Sequence, residues 1–237
     1  MVQLLLLSSS HVPGRGFLDH ALPAVTELMA GRERMLFVPY ARRDFDTYAR
    51  SAHSVLSAVG IKLDGLHRAA DPVAAIRAAE VVFLGGGNTF RLLATLQRQD
   101  LMRELRRAAL SGVPFLGAGA GATLACPSLR TSNDMAVLQP ASFAALNLLP
   151  FQINPRYPDA DPGGDSRDEC IVDFLAHNDA PVLGLRPDSW LRVRGRCAEL
   201  GGAQAAWLFT RHAPPQNLPA GTDLSFLLRT APRYDVA

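Results

Sequence analysis

The sequence predicts a doubly wound α/β domain built on a mostly parallel sheet with helices on both faces, and three observations carry that expectation. Short, wholly apolar runs alternate with amphipathic stretches through the first half of the chain. These runs lack polar-out alternation, so their strands must be covered on both faces, as in parallel sheets flanked by helices. Two glycine clusters, Gly85-Gly86-Gly87 and Gly117-Ala118-Gly119-Ala120-Gly121, each follow an apolar run and precede a helical stretch. That position, beyond the carboxyl end of a strand, is where open α/β sheets hold ligands.

Taken in order, residues 2–7 make the first strand, and a helical stretch over 23–29 follows Gly14 and Gly16. Residues 35–39 give the second strand, and helical periodicity over 47–59 stops at Gly60. A third strand is expected at 61–66. Asp71-Pro72 then opens a short helix, with Asp as N-cap and Pro in the first helical position. The fourth strand, 81–84, runs into the three glycines, and one helical run extends from there to about Leu110. The fifth strand, 113–116, meets the second glycine cluster. After about Cys126 the rhythm changes to short segments punctuated by Pro and Asn. A helix is expected over 165–176, with strands at 180–185, 190–193 and 205–209, turning hairpin-like around Gly195 and Gly201-Gly202. With no internal repeat and no low-complexity linker, residues 1–237 read as one domain; the order of 214–237 stays open.

Composition narrows the chemistry. Of the 237 residues 48% are hydrophobic and 19% charged, which suits a packed core and excludes disorder. A net charge of +2 offers no global field for nucleic acid or a membrane surface, so neither is expected as a partner. Lys62 is the only lysine, and between Ile61 and Leu63 it serves neither a phosphate-binding loop nor Schiff-base chemistry. Cys126, Cys170 and Cys197 form no C-x-x-C pair, so no structural zinc and no disulfide framework are expected. No metal and no cofactor is implied. The first residues lack a basic flank and a cleavage site, and no apolar stretch nears the ~20 residues of a membrane span, so a cytoplasmic protein is expected.

The second glycine cluster has the strand–turn–helix frame of a nucleophile elbow, which reads G-x-S-x-G, but its middle residue is Gly119. A nucleotide-binding reading of the same glycines is weak, because the loop follows the fifth strand rather than the first. Near the first cluster, the glycines and the helix start after them offer backbone N–H groups to an anion.

Further motifs accompany these in order: Leu4-Leu5-Leu6-Leu7-Ser8-Ser9-Ser10 with Pro13-Gly14, His67-Arg68-Ala69-Ala70-Asp71-Pro72, and Gly85-Gly86-Gly87-Asn88-Thr89-Phe90. Leu124-Ala125-Cys126-Pro127, Arg130-Thr131-Ser132-Asn133-Asp134-Met135 and Leu149-Pro150-Phe151-Gln152-Ile153-Asn154-Pro155 complete the set. With them the chain resembles the peptidase E family of serine-type α-aspartyl dipeptidases over almost its whole length. The resemblance implies a class I glutamine amidotransferase-like, flavodoxin-like fold.

It also marks departures. Where the family reads G-W-S-A-G-A-N, this chain has Gly117-Ala118-Gly119-Ala120-Gly121-Ala122-Thr123, so Gly119 stands in the place of the nucleophile. The family's histidine follows Asn-Pro, and here Arg156 follows Asn154-Pro155. The implied acid is retained as Asp134, while the alternative acid position holds Pro187 beside Asp188. Arg167 matches an arginine that, by the resemblance, binds the aspartyl carboxylate of the substrate. Glycine has nothing to attack with, and an arginine of pKa above ~12 cannot serve as a base. The expectation is a non-hydrolytic binder of a small anionic ligand, such as an aspartyl peptide or amino acid. Its contacts would be Gly86, Gly87, Asn88, Ala120, Arg156 and Arg167. With Arg156 in place of a histidine, binding is expected to change little between about pH 6 and 8. Two alternatives remain. One is a working dipeptidase or amidase with an unconventional mechanism, for which Thr123 and Cys126 lie off the elbow and His11 ends the first strand. The other is a scaffold with a vestigial site.

Overall fold

The computed structural model describes residues 1–158 and 166–236. The first half runs β1 (Gln3–Leu7), α1 (Leu22–Met29), β2 (Arg34–Val38), α2 (Phe45–Ala58), β3 (Lys62–Gly65) and α3 (Pro72–Arg77). It continues with β4 (Val82–Leu84), α4 (Thr89–Arg98), α5 (Met102–Ser111), β5 (Phe115–Ala118) and α6 (Ala120–Leu124). The second half supplies β6 (Gln152–Pro155), α7 (Ser166–His177), β7 (Val182–Leu185), β8 (Ser189–Arg194), β9 (Cys197–Gly202), β10 (Ala206–Phe209) and β11 (Gln216–Leu218).

Seven strands form the main sheet in the order β3-β2-β4-β5-β1-β8-β9. The five from β3 to β1 are parallel, and β8 and β9 extend the sheet antiparallel beyond β1. The all-leucine face pattern of β1 has a direct cause. Leu4 and Leu6 point into the core shared with α3 to α6, while Leu5 and Leu7 point into the core shared with α1 and α2. All four are fully buried, so no polar residue could alternate with them. This is the expected doubly wound arrangement.

A second sheet, ordered β11-β10-β7-β6, packs its Ile153, Leu183, Leu185 and Leu208 into the first of those cores. Its other side carries α7 through Ile171, Phe174 and Leu175, packed on Tyr157, Val182 and Phe209. Its role for the site is to carry the end of β6 to the end of β1.

Local signals behaved as their chemistry requires. Asp71 caps α3 by accepting the Ala74 N–H at 2.9 Å, with Pro72 behind it. Other expectations need correction. The single helical run to Leu110 is two helices, because Asp100 adopts φ 53° and breaks the run between α4 and α5. The third strand ends at Gly65, and Leu66 starts a 3-10 turn over Leu66–Arg68. Gly195 does turn β8 into β9, but Gly201-Gly202 closes no hairpin. It passes the chain from the main sheet to the second sheet. Strands β6, β9 and β11 had no strand expectation at all. The last of these, with a 3-10 turn at Ser225–Arg229, gives order to the segment left open above.

Candidate functional site

The loops that matter lie at the carboxyl ends of β1, β2, β4, β5 and β6. At the end of β5 the chain turns sharply into α6 with Gly119 at the apex, φ 52° and ψ −108°. An L side chain is strained there, as it is at a nucleophile elbow. The Gly119 N–H donates to the Leu7 carbonyl at 3.0 Å, and its carbonyl accepts from Thr123 N–H at 3.0 Å, so both sides of the turn are fixed. The elbow requires its flanking glycine: a Cβ on Gly121 would fall 2.1 Å from the Leu84 carbonyl oxygen. At Gly119 the reverse holds. A Cβ there would meet nothing nearer than the Ser8 carbonyl oxygen at 3.7 Å, so the apex is an empty seat open to a cleft.

That cleft, of about 320 Å³, brings together four of the predicted residues: Gly86, Gly87, Gly119 and Arg156. The rest of its lining comes from Ser9, Ser10, His11 and Arg42. A larger cavity of about 530 Å³ lies off this site at the β3 edge, beside Arg34 and Asp64, which pair with each other at 2.7 Å.

Arg156 follows β6 in a left-handed conformation, φ 57°. Its backbone N–H donates to Ser8 Oγ at 2.8 Å, and the buried Ser8 hydroxyl donates to the Leu185 carbonyl at 2.8 Å. This ties the ends of β1, β6 and β7. The half-exposed guanidinium pairs with Asp134 Oδ1 at 3.2 Å. Asp134 Oδ2 accepts the Thr89 N–H at 2.7 Å and the Thr89 hydroxyl. Asp134 therefore anchors Arg156 to the start of α4 instead of lining the cleft.

Several predicted contacts are placed elsewhere. The Gly86 N–H donates to the Tyr48 hydroxyl at 2.8 Å, so it is not available to an anion. Asn88 caps α4, its Oδ1 accepting the Arg91 N–H at 2.9 Å and its Nδ2 donating to the Met135 carbonyl at 2.8 Å. Ala120, the first residue of α6, is 1% exposed and does not line the cleft. The side chain of Arg167 lies outside the described residues. Among the alternative nucleophiles, Cys126 is fully buried, and burial pushes its thiol up to about 12. Thr123 is buried with its hydroxyl turned to the Gly119 carbonyl at 3.4 Å. Asp188 is buried and pairs with Arg15 at 3.4 Å.

Arg42 was not anticipated. Its guanidinium lies 5.1 Å from the centre of the Tyr48 ring, and its Nε donates to the Gly86 carbonyl at 3.3 Å. Four residues past β2, it occupies a position that the strand-end rule marks out, a signal overshadowed by the glycine clusters. His11 faces the cleft with Nδ1 3.1 Å from Ser10 Oγ and its ring edge-on to Phe17. Burial lowers its pKa, and the neighbouring Arg42 charge lowers it further.

A doubly wound sheet whose fifth strand turns through a strained elbow, beside a glycine loop from the adjacent strand, defines the class of nucleophile-elbow α/β proteins. Within that class the chain belongs to peptidase family S51, whose model matches residues 4–201. It is 49% identical over 238 aligned positions to peptidase E of Streptomyces coelicolor, covering 99% of this chain and 98% of that protein. A Drosophila melanogaster protein named a probable alpha-aspartyl dipeptidase is 42% identical over 233 positions, covering 95% and 97%. In fold, the chain matches the crystal structure of a peptidase from an acI-B1 Actinobacterium with a TM-score of 0.71 over 95% of this chain and 97% of the other, at 19% identity. The class I glutamine amidotransferase-like architecture follows. Among the described residues no helix is long and apolar enough to cross a membrane.

Proposed function

We propose that this member of peptidase family S51 binds a small anionic ligand, of the aspartyl peptide or amino acid kind, without hydrolysing it. One observation carries the reading: the apex of the elbow is Gly119, which has no nucleophile. Arg156, aligned by motif with the family's histidine, stays protonated and cannot take a proton from a serine or a water. Loss of a nucleophile or base from a triad removes about six orders of magnitude from kcat, while binding and backbone donors persist. The ligand class is suggested by the relatives named as peptidase E and α-aspartyl dipeptidase. Arg156 and Arg42, which line the cleft, supply matching donors. Calorimetric titration with Asp-Leu, run beside an assay for leucine release, tests both halves. Binding without release supports the reading, and binding should weaken in Arg156→Ala.

A second reading rests on the Ser10–His11 contact at 3.1 Å. A neutral His11 could accept the Ser10 proton through Nδ1 as Oγ attacks the peptide carbonyl, then return it to the departing amine. Water would release the acyl group from Ser10. Leucine release abolished by Ser10→Ala would select this hydrolase. Failure of any anion to bind at millimolar concentration would select a scaffold with a vestigial site.

A further inference from the structure

We infer that the cleft is built for a tetrahedral dianion, inorganic phosphate or a phosphomonoester, in preference to the zwitterion of an amino acid or peptide. The inference rests on the anion-binding half of the proposed function and puts a tetrahedral ligand in place of the aspartyl one. Charge is the first ground. Arg42 enters from the loop after β2 and Arg156 from the end of β6, so guanidinium groups on two separate elements line one space of about 320 Å³. No carboxylate lines it among the described residues. An amino acid or an N-terminal aspartyl peptide brings an ammonium, which is costly to desolvate without an acceptor. The neighbouring acid, Asp134, has one oxygen on Arg156 and the other on the Thr89 amide and hydroxyl. The Gly86 carbonyl already accepts from Arg42. Among the described residues the lining side chains offer two guanidinium groups to an anion and no carboxylate to a cation.

Shape is the second ground. An elbow arranges its nucleophile and its oxyanion donors around one tetrahedral centre, because acyl transfer passes through a tetrahedral adduct. Here the nucleophile's seat is unfilled: a Cβ on Gly119 would make only ordinary contact, 3.7 Å from the Ser8 carbonyl oxygen. One phosphate oxygen can fill that seat while others meet the two guanidinium groups that line the same space. A planar carboxylate has only two oxygens and cannot reach all of these.

The test is calorimetric titration of the intact protein at pH 7.5 with inorganic phosphate, phenyl phosphate, acetate and Asp-Leu. Phosphate or phenyl phosphate should bind at least about tenfold tighter than acetate or Asp-Leu. Tighter binding of phenyl phosphate identifies a monoester site, and equal or tighter binding of phosphate identifies a site for the free ion. Arg42→Ala and Arg156→Ala should each weaken phosphate binding by about tenfold or more. Gly119→Ser, which fills the seat, should weaken it too, with far-UV circular dichroism and thermal unfolding reporting that the fold is kept. The exposed arginine variants decide the matter if Gly119→Ser does not fold. Acetate or Asp-Leu binding as tightly as phosphate would overturn the tetrahedral assignment and leave the anion reading standing. Phosphate binding that ignores Arg42→Ala would do the same. No binding of any of the four at millimolar concentration would overturn both.

Discussion

Gly119 and Arg156 act on the cleft in opposite ways, one by leaving a seat empty and the other by adding a charge that does not titrate. Gly119 and its flanking glycines could be read from sequence because an elbow is local, a fixed spacing of small residues after an apolar run. Arg42 was marked only by its place past a strand end, and its approach to Gly86 was not legible, since it joins residues 44 apart and depends on how β2 lies against β4. The same holds for the Gly86 amide, whose partner Tyr48 projects from α2. His11 changes the expected pH response. Burial and Arg42 hold its pKa below the ordinary histidine value, so the ring is neutral at pH 7.5 and gains a proton only as pH falls. A bound anion favours the protonated ring, so binding takes up a proton and strengthens on acidification. Sulfate, which stays ionised throughout, should bind equally at pH 7 and 8. Its affinity should rise as pH falls below the ordinary histidine value of about 6.5, because the His11 pKa is lowered from it. Calorimetry should lose that rise in His11→Ala. A flat profile for the unaltered protein would place His11 out of the anion's reach.

At the scale of elements, the elbow is held by contact between backbones. Gly121→Ala would drive a Cβ to 2.1 Å from the Leu84 carbonyl oxygen, and backbone cannot swing aside as a side chain can. Chemical denaturation should show a loss of about 3 kcal/mol or failure to fold. Gly119→Ala has room but needs φ 52°, and should cost only about 1–2 kcal/mol. Equal losses at the two positions would contradict the packing described for the elbow. Asp134→Ala removes the acceptor of the first α4 amide and should cost about 1–2 kcal/mol in urea unfolding. Element boundaries were less legible than element types. Asp100 breaks a continuous helical pattern by a backbone choice that an aspartate tolerates but does not announce. In β9, Glu199 and the two glycines mask the strand, and β6 buries the polar Gln152 and Asn154. Asn154 earns that place through its bonds to Asn133 and the Thr131 carbonyl, which only the assembled loops provide.

Across the whole molecule, burial on both sheet faces explains why the leucine-rich strands were readable, whereas in the second sheet β7 and β10 were expected and β6 and β11 were not. Its strands are short, mixed in direction and dependent on partners far along the chain. The same packing sorts the cysteines. Cys126 is enclosed with its thiol pushed up to about 12, whereas Cys170 and Cys197 are exposed. At pH 8 an aromatic disulfide reagent should therefore titrate two thiols in the native protein and three in concentrated guanidinium. A third native thiol reacting promptly would mean that the core around β6 and α6 opens readily. The central claim concerns chemistry at an elbow without a nucleophile, and one assay meets it directly: leucine released from Asp-Leu by the purified protein at neutral pH. Working enzymes turn over at about 1–1000 per second, and a loss of about six orders from a mid-range value leaves roughly one turnover per day. The account predicts release indistinguishable from that slow background over hours, from protein that calorimetry shows to bind anions. Sustained release at about one per second or faster would contradict it.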